Sequence, residues 1–491
     1  MKKMISKFVR EQKRYSQNEL RNIFELKSDE VDGFIKNLKA FGVLKSVKNN
    51  SEQKELSNLI DEDIEISEIE SENDAYLYVF TYVGVITVGT RIIKCYPKYL
   101  IKADKPLDEM KQVLKVLTKY GSKEQIVNLY NGNGDNKSFN ILAVILFLIN
   151  DYYEYGVYNN TEDIIEINGE GEILWDKTIN DSFALISNNR PYYMELYTEK
   201  TVDDEYDFFK RLHECILTNC SKQLAKSELL DLFDIPPIEL SEENIGDFGD
   251  RDYVLYRLQS ELNIQFNTRK QILIKTLYAY VAHERTLEDT YGISMYGTNS
   301  FNLVWEKVCA EVFSNKLNTP IGQLDLPVEL GEGYKSNIRL IDIIEKPLWV
   351  GFDDESSIFK KNAKDTLTPD LISVFRNKET TQFIIFDAKY YNIQLEKGKE
   401  LRNYPGIGDV TKQYLYQLAY KKFIDDYKID TVKNCFLMPT QGRDIVKKGI
   451  VKMQILSNLG LQDIQIRLLP AKMMYEKYLA RKIINIGILE L

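Results

Sequence analysis

Four stretches of the chain, about 106–120, 138–156, 204–224 and 267–281, carry apolar residues at the spacing of one helical face, and each predicts a helix. Elsewhere the pattern changes to runs of β-branched and aromatic residues. One run extends from Tyr76 to Val88 and resumes from Arg91 to Tyr96 around Gly89, predicting a strand pair. Glycine-rich stretches at Gly132-Asn133-Gly134-Asp135-Asn136 and Asn168-Gly169-Glu170-Gly171 interrupt the middle helices. The longest unbroken apolar stretch, Ile141 to Ile149, is far shorter than the ~20 residues a bilayer requires, so no membrane partner is expected.

Nearer the start, Ser16-Gln17-Asn18-Glu19 has the form of a capping box. Ser28 can cap a second helix with Val31, Phe34, Ile35, Leu38 and Phe41 on one face, and Gly42 ends it. With Val43-Leu44-Lys45-Ser46-Val47 as a following strand, this is the layout of a winged helix, although a helical protein-docking module would read the same way. Asp29, Glu30 and Asp32 at the start of the second helix would repel phosphates. Any DNA contact then falls to Lys36, Lys39 and the basic residues before Ser16.

Towards the C-terminus, Pro369-Asp370 opens the apolar run Leu371-Ile372-Ser373-Val374-Phe375, and the polar turn Asn377-Lys378-Glu379-Thr380 leads into Phe383-Ile384-Ile385-Phe386-Asp387-Ala388-Lys389-Tyr390. The two runs predict an antiparallel hairpin. A turn centred between Lys378 and Glu379 places Asp370 opposite Asp387. Facing carboxylates about 5 Å apart destabilise a ladder unless a positive charge sits between them, and a divalent metal answers that need. Side chains alternate along a strand, so Lys389 projects on the face of Asp387. Two carboxylates and an ammonium suit phosphodiester cleavage: oxygen ligands suit Mg²⁺, with Mn²⁺ as a substitute, and the lysine orients a nucleophile or stabilises developing charge.

A further helix is expected to begin near Asp409, its N-cap, after Gly406-Ile407-Gly408, and to carry Lys412, Gln413, Tyr416, Gln417 and Tyr420. The tyrosines read as core residues. Asn434 to Pro439, Val451 to Leu456 and Ile464 to Leu468 are expected as strands, and a helix through Met474 and Tyr478 closes the domain.

Composition narrows the chemistry. The 491 residues are 44% apolar and 28% charged, ordinary for a globular protein of several domains at roughly 150 residues each. The five cysteines form no CxxC pair, and His213 and His283 are the only histidines, so structural zinc and histidine-based catalysis are both poorly supported. Scattered cysteines and the lack of a signal-peptide apolar region lead to the expectation of a cytoplasmic protein with reduced thiols. Gly134…Lys137-Ser138 and Gly331 to Ser336 both miss the spacing of a phosphate-binding loop, so nucleotide hydrolysis by this chain is not expected.

The net charge of −10 hides local contrasts. Residues 1–50 hold 12 Lys/Arg against 6 Asp/Glu and residues 51–74 hold 1 against 10, a basic head followed by an acidic linker. Residues 386–422 hold 7 basic against 4 acidic and 433–453 hold 5 against 1, so a basic surface borders the acidic cluster, as a polyanion would favour.

Pro369-Asp370 with Asp387-Ala388-Lys389 on apolar strands resembles the PD-(D/E)xK nuclease core. In that family an acidic residue on a helix before the sheet often completes metal binding. The resemblance implies this role for Glu306 in Phe301-Asn302-Leu303-Val304-Trp305-Glu306-Lys307-Val308-Cys309, with Glu311 as its substitute. It likewise implies that Gln413, on the helix after the core, lies beside the scissile phosphate, with Lys412 as a phosphate contact. Tyr82-Val83-Gly84-Val85-Ile86 with Pro97-Lys98-Tyr99, Ile173 to Ile179, and Asn189-Arg190-Pro191-Tyr192-Tyr193 extend the resemblance to LlaJI-type restriction endonucleases over roughly residues 76 to 480. The middle motifs are also similar to McrC, the nuclease subunit of the McrBC system. Trp175 and Tyr192 also read as core residues and Lys177 and Arg190 as salt-bridged surface residues, and none is given a catalytic role.

The expectation is a multidomain α/β protein: a winged-helix-like module at 1–50, an acidic linker at 51–74, a mixed middle region at 75–292 and a restriction-endonuclease-like domain at 293–491. The resemblance implies an Mg²⁺-dependent endonuclease of a defence system acting on double-stranded DNA. It further implies an McrB-like AAA+ GTPase or ATPase partner, and leaves a homo-oligomer open. Asp370, Asp387 and Lys389 are the expected catalytic groups, joined by Gln413, with Glu306, Asp370 and Asp387 as metal ligands. A non-catalytic DNA-binding or scaffolding subunit that keeps the nuclease fold is the alternative.

Overall fold

The computed structural model describes residues 4–48, 76–103, 105–121, 130–131, 138–203, 207–283, 287, 292–328, 334–353, 358–377 and 380–491. The expected acidic linker and the glycine-rich turn at Gly132 lie outside them. The chain divides into two compact units, one made of Met1–Met4, Thr87–Thr90 and Ile126–Met295, the other of Ile5–Ile86, Arg91–Gln125 and Tyr296–Leu491. Mixed helices and sheets make up both, in agreement with the expected α/β class.

The first unit is built on the helices Ile141–Tyr155, Phe208–Lys226, Arg251–Ile264 and Thr268–His283. Three of these follow the apolar periodicity. Arg251–Ile264 escapes it because it buries little beyond Val254, Leu258 and Glu261. Thr161–Ile167 and Tyr197–Asp203 form an antiparallel ladder joined at its edge by Glu172–Ile173, and Ala184–Ser187 pairs with Arg190–Tyr193 in a separate hairpin. Trp175 and Tyr192 are 53% and 51% exposed, which overturns their reading as core residues. Lys177 does pair with Asp181, at 3.4 Å.

In the second unit the Ser16–Glu19 capping box is present at the start of the helix Gln17–Ile23. The second helix, Val31–Ala40, begins after Glu30 rather than at Ser28, and Gly42 follows it at φ +70°, which suits a residue without a Cβ. Leu44–Lys48, Tyr76–Phe80 and Arg14–Tyr15 form a three-stranded antiparallel sheet. The long β-rich run is thus divided: Tyr76–Phe80 belongs to this sheet and Val83–Val88 to another, in the order Ile5–Arg10, Arg91–Tyr96, Val83–Val88, Ile293–Thr298. Ile5–Arg10 pairs with Arg91–Tyr96 in parallel. Gly84 and Gly297 let the chain approach itself closely, since a Cβ on Gly84 would lie 2.2 Å from the Tyr296 carbonyl oxygen.

The candidate site rests on a five-stranded mixed sheet in the order Leu371–Asn377, Thr380–Ala388, Thr431–Thr440, Ile464–Pro470, Val446–Val451. The inner pairings are parallel and the two edge pairings antiparallel. Alternation along strand 380–388 sends Phe383 and Ile385 into a core with Tyr416, Tyr420 and Phe423, while Phe386 stacks on Phe313 at 5.8 Å. Both faces are therefore covered, as the unbroken apolar run requires. The expected strand Val451–Leu456 is a correction: the strand is Val446–Val451, and Gln454–Ser457 is helical. The pairing ends at Val451, and the Met453 amide donates to the Tyr414 hydroxyl instead of a ladder partner. The helix expected through Met474 and Tyr478 is present as Ala471–Leu479, and a short 3-10 turn, Ile486–Leu489, follows it. Among the described residues no helix is long and apolar enough to cross a membrane, and the five cysteines are buried free thiols.

Candidate functional site: a carboxylate cluster at a strand end

Strands 371–377 and 380–388 pair with Leu371 opposite Phe386 and Asn377 opposite Thr380, the register expected from a turn centred on Lys378-Glu379. One step further, Asp370 meets Asp387 and the two carboxyls share a hydrogen bond. Asp370 Oδ2 also accepts from the Ala388 amide at 2.8 Å. Behind it, Asn315 donates through Nδ2 to the Asp370 carbonyl at 3.0 Å, and its Oδ1 accepts from the Leu317 and Ile372 amides at 2.9 and 3.0 Å. Asn315 thus fixes the backbone at the mouth of the hairpin. The sequence held no local signal for this.

Lys389 turns its amine to Asp387 Oδ2 at 3.1 Å and to Asp409 Oδ1 at 2.8 Å. Asp409 sits inside the first turn of helix Ile407–Ala419, which Gly406 rather than Asp409 caps. Its part in the cluster was missed because it was read only as a cap. An acid in the first turn of the helix that follows the site strand was the available signal. Glu306, on helix Phe301–Val312, is half-buried and hydrogen-bonded to the Asn302 side chain, close enough to feel the charges of Lys389 and Asp387. Its expected substitute, Glu311, is held by Lys307 at 3.3 Å and Lys119 at 3.7 Å.

Gln413 is fully buried, and its Nε2 donates to the Ile385 carbonyl at 2.8 Å while Oε1 has no partner. In this position it braces the site strand against the helix. Lys412, one residue earlier, is exposed. Tyr416 and Tyr420 are buried, donating to the carbonyls of Thr368 and Leu340, both at 3.0 Å. Of the basic residues expected around the site, Lys447 pairs with Glu490 and Lys452 lies 3.6 Å from Asp463.

Burial is the chief reason that Asp387 is raised well above the ordinary carboxylate range, and the charge of Asp370 adds to it. Asp370 and Glu306 are raised by burial as well. Burial works to lower the Lys389 amine, but the charges of Asp387 and Asp409 outweigh it and raise the group. Two carboxyls thus contact one ammonium, and Asp370 and Glu306 lie close enough to feel its charge. Among the described residues no three His, Cys, Asp or Glu side chains are already spread into a preformed metal cage. The donors that are present, all carboxylate oxygens, match the hard-ligand preference of Mg²⁺, which commonly takes one or two carboxylates and completes its shell with water and phosphate.

His213 is fully buried, accepting the Tyr158 amide at Nδ1 over 2.9 Å, and His283 stacks on Phe139 at 3.9 Å.

The sheet and its cluster define a multidomain α/β protein with a carboxylate-rich site where an edge strand and its neighbour meet. The chain belongs to the LlaJI restriction endonuclease family, whose model matches residues 82–328 and 334–468. It is similar to the Type II restriction enzyme BsuMI component YdjA of Bacillus subtilis (strain 168), with 29% identity over 429 residues spanning 82% of this chain and 81% of the relative. Two solved assemblies show a distant likeness. One is a refined half-complex from the tetradecameric assembly of Thermococcus gammatolerans McrB AAA+ hexamers with bound McrC, with 13% identity and a TM-score of 0.36 over 97% of this chain and 99% of that one. The other is the McrBC complex from the same organism, also with 13% identity, at a TM-score of 0.24 over 62% and 85%. Neither is close enough to define the fold.

Proposed function

We propose that this chain is the DNA-cutting component of a restriction system, hydrolysing phosphodiester bonds of double-stranded DNA with Mg²⁺, or Mn²⁺ in its place. The observation that carries the reading is the imbalance of charge at the strand ends, where Asp370, Asp387, Asp409 and Glu306 surround the single ammonium of Lys389. Asp370 and Asp387 would hold the ion, with Glu306 as a further ligand from its helix. The ion would supply Lewis-acid polarisation of the phosphate and lower the pKa of water. Lys389 then offers its ammonium to the phosphate or the developing negative charge, held in line by Asp409. Lys412 contacts a neighbouring phosphate from the exposed face of its helix, and Gln413 keeps that helix pressed on the site strand.

The N-terminal module, read as winged-helix-like, contacts DNA or a partner. The partner in this reading is an McrB-like AAA+ protein, named on the resemblance of the middle motifs, and the compartment is the cytoplasm. Supercoiled plasmid incubated with the chain and Mg²⁺, with and without such a partner and GTP or ATP, tests the whole proposal. Nicked or linear product that requires Lys389 is expected. DNA that is bound but left intact under every condition would favour a scaffolding subunit instead.

A further inference from the structure

A second buried acid lies next to the site strand and has no place in the chemistry above. Glu11 follows the strand Ile5–Arg10 and is 6% exposed, a costly position for a carboxylate. Its Oε2 accepts the hydroxyl of Tyr390 at 2.6 Å and the backbone amide of Lys98 at 3.1 Å. The Lys98 amide also reaches the Tyr390 hydroxyl at 3.3 Å. The Lys98 ammonium donates to Gln12 Oε1 at 3.1 Å and stands 4.6 Å over the Tyr390 ring. Phe301, the first residue of the helix that carries Glu306, and Tyr99 pack on the same ring at 5.3 and 6.3 Å.

Tyr390 is the residue directly after Lys389. At this point the site strand has ended at Ala388, and the Lys389 amide keeps one last bond to the Leu437 carbonyl at 2.9 Å. Beyond that bond, the backbone direction depends on where Tyr390 is anchored. Its anchor is supplied by a residue 379 positions earlier in the chain. We propose that Glu11 is a positioning residue for the cluster: by holding Tyr390 it fixes the turn after Ala388 and so aims the Lys389 amine between Asp387 and Asp409. The N-terminal segment is then a working part of the nuclease site, and a ligand that shifts the strand Ile5–Arg10 would shift the lysine. The proposal rests on the nuclease reading for its effect on cutting, but not for its effect on the lysine.

The test uses the full-length chain and two measurements. Trace acetylation of lysines, read by peptide mass spectrometry, reports how well the Lys389 amine is held, with exposed Lys412 as internal control. Tyr390→Phe and Glu11→Ala should each raise Lys389 labelling by at least about fivefold and leave Lys412 unchanged, whereas Glu11→Gln, which keeps an acceptor oxygen, should stay within about twofold. Plasmid cleavage by the first two variants should lose roughly 10- to 100-fold in kcat, with KM for DNA within about twofold. Tyr390→Phe preserves the packed ring, so it remains informative if Glu11→Ala does not fold. Wild-type Lys389 labelling in Tyr390→Phe overturns the inference whether or not the chain cuts DNA. Altered labelling in a chain whose wild type never cuts DNA supports the coupling and sinks the nuclease reading alone.

Discussion

In the unit built around Ile126–Met295, buried charges meet partners that close on them. Asp151 is gripped by both ends of the Arg269 guanidinium at 3.1 and 2.7 Å, and Glu261 accepts the Tyr158 hydroxyl at 2.6 Å and the Asn160 amide at 3.3 Å. In the other unit, at the ends of strands 371–377 and 380–388, negative charge gathers without that closure, and burial raises both Asp370 and Asp387. A fold can bury an ion pair at small net cost when the geometry is complete, but a surplus of like charge has no such relief. The first arrangement is structural. On the proposed function the second awaits a cation, and there the fold gives up stability for chemistry.

The largest expected effect is at the surplus. Lys389→Ala should lower kcat for plasmid cleavage by roughly 10²–10³-fold or more in a chain that still folds, as a cooperative melting transition shows. Undiminished cutting would dissolve the contrast between the two regions. At the closed pair the signs reverse: Arg269→Met, leaving Asp151 alone, should cost about 3–5 kcal/mol in urea unfolding while divalent-ion binding stays as it was.

His213 sharpens the comparison through pH. Burial first, and then the charge of Arg269, push its pKa down to about 3, so the folded chain keeps it neutral where the unfolded chain, at about 6.5, takes up a proton. Its contribution is full above about pH 6.5 and is lost as pH falls toward 3, at up to about 1.4 kcal/mol per pH unit. Urea midpoints at pH 7.5 and 5.0 should show this loss in the wild type and a flatter profile in His213→Gln. Gln413→Leu removes the donor to the Ile385 carbonyl and should cost about 1–3 kcal/mol by the same method. The smallest change is expected at the exposed hairpin Leu348–Phe352 with Ile358–Asn362, where Trp349 is 70% exposed: Trp349→Ala should stay within about 0.5 kcal/mol.

The site hairpin was legible because everything that sets it is local. A short polar turn between two apolar runs fixes the register, and the register alone brings Asp370 to Asp387. The contacts that finish the site depend on distant chain. Asp409 meets Lys389 only after the helix 407–419 folds back, Asn315 reaches Asp370 from the end of another helix, and Glu11 reaches Tyr390 across nearly the whole sequence. Periodicity speaks to none of these. The same limit explains the strand expected at Val451–Leu456, whose apolar residues suit a strand but whose Met453 amide is taken by Tyr414 from outside the sheet. Trp175 and Tyr192 failed differently, since aromatic character was read as burial and both are surface residues.

Calorimetric titration of the chain with Ca²⁺, in the absence of DNA, goes straight to the surplus of charge. One ion per chain should bind to the wild type and to Trp349→Ala, and binding should vanish in Asp387→Ala. A wild-type chain that takes up no ion, or an Asp387→Ala chain that binds as the wild type does, would contradict the claim that these carboxyls are gathered for a metal.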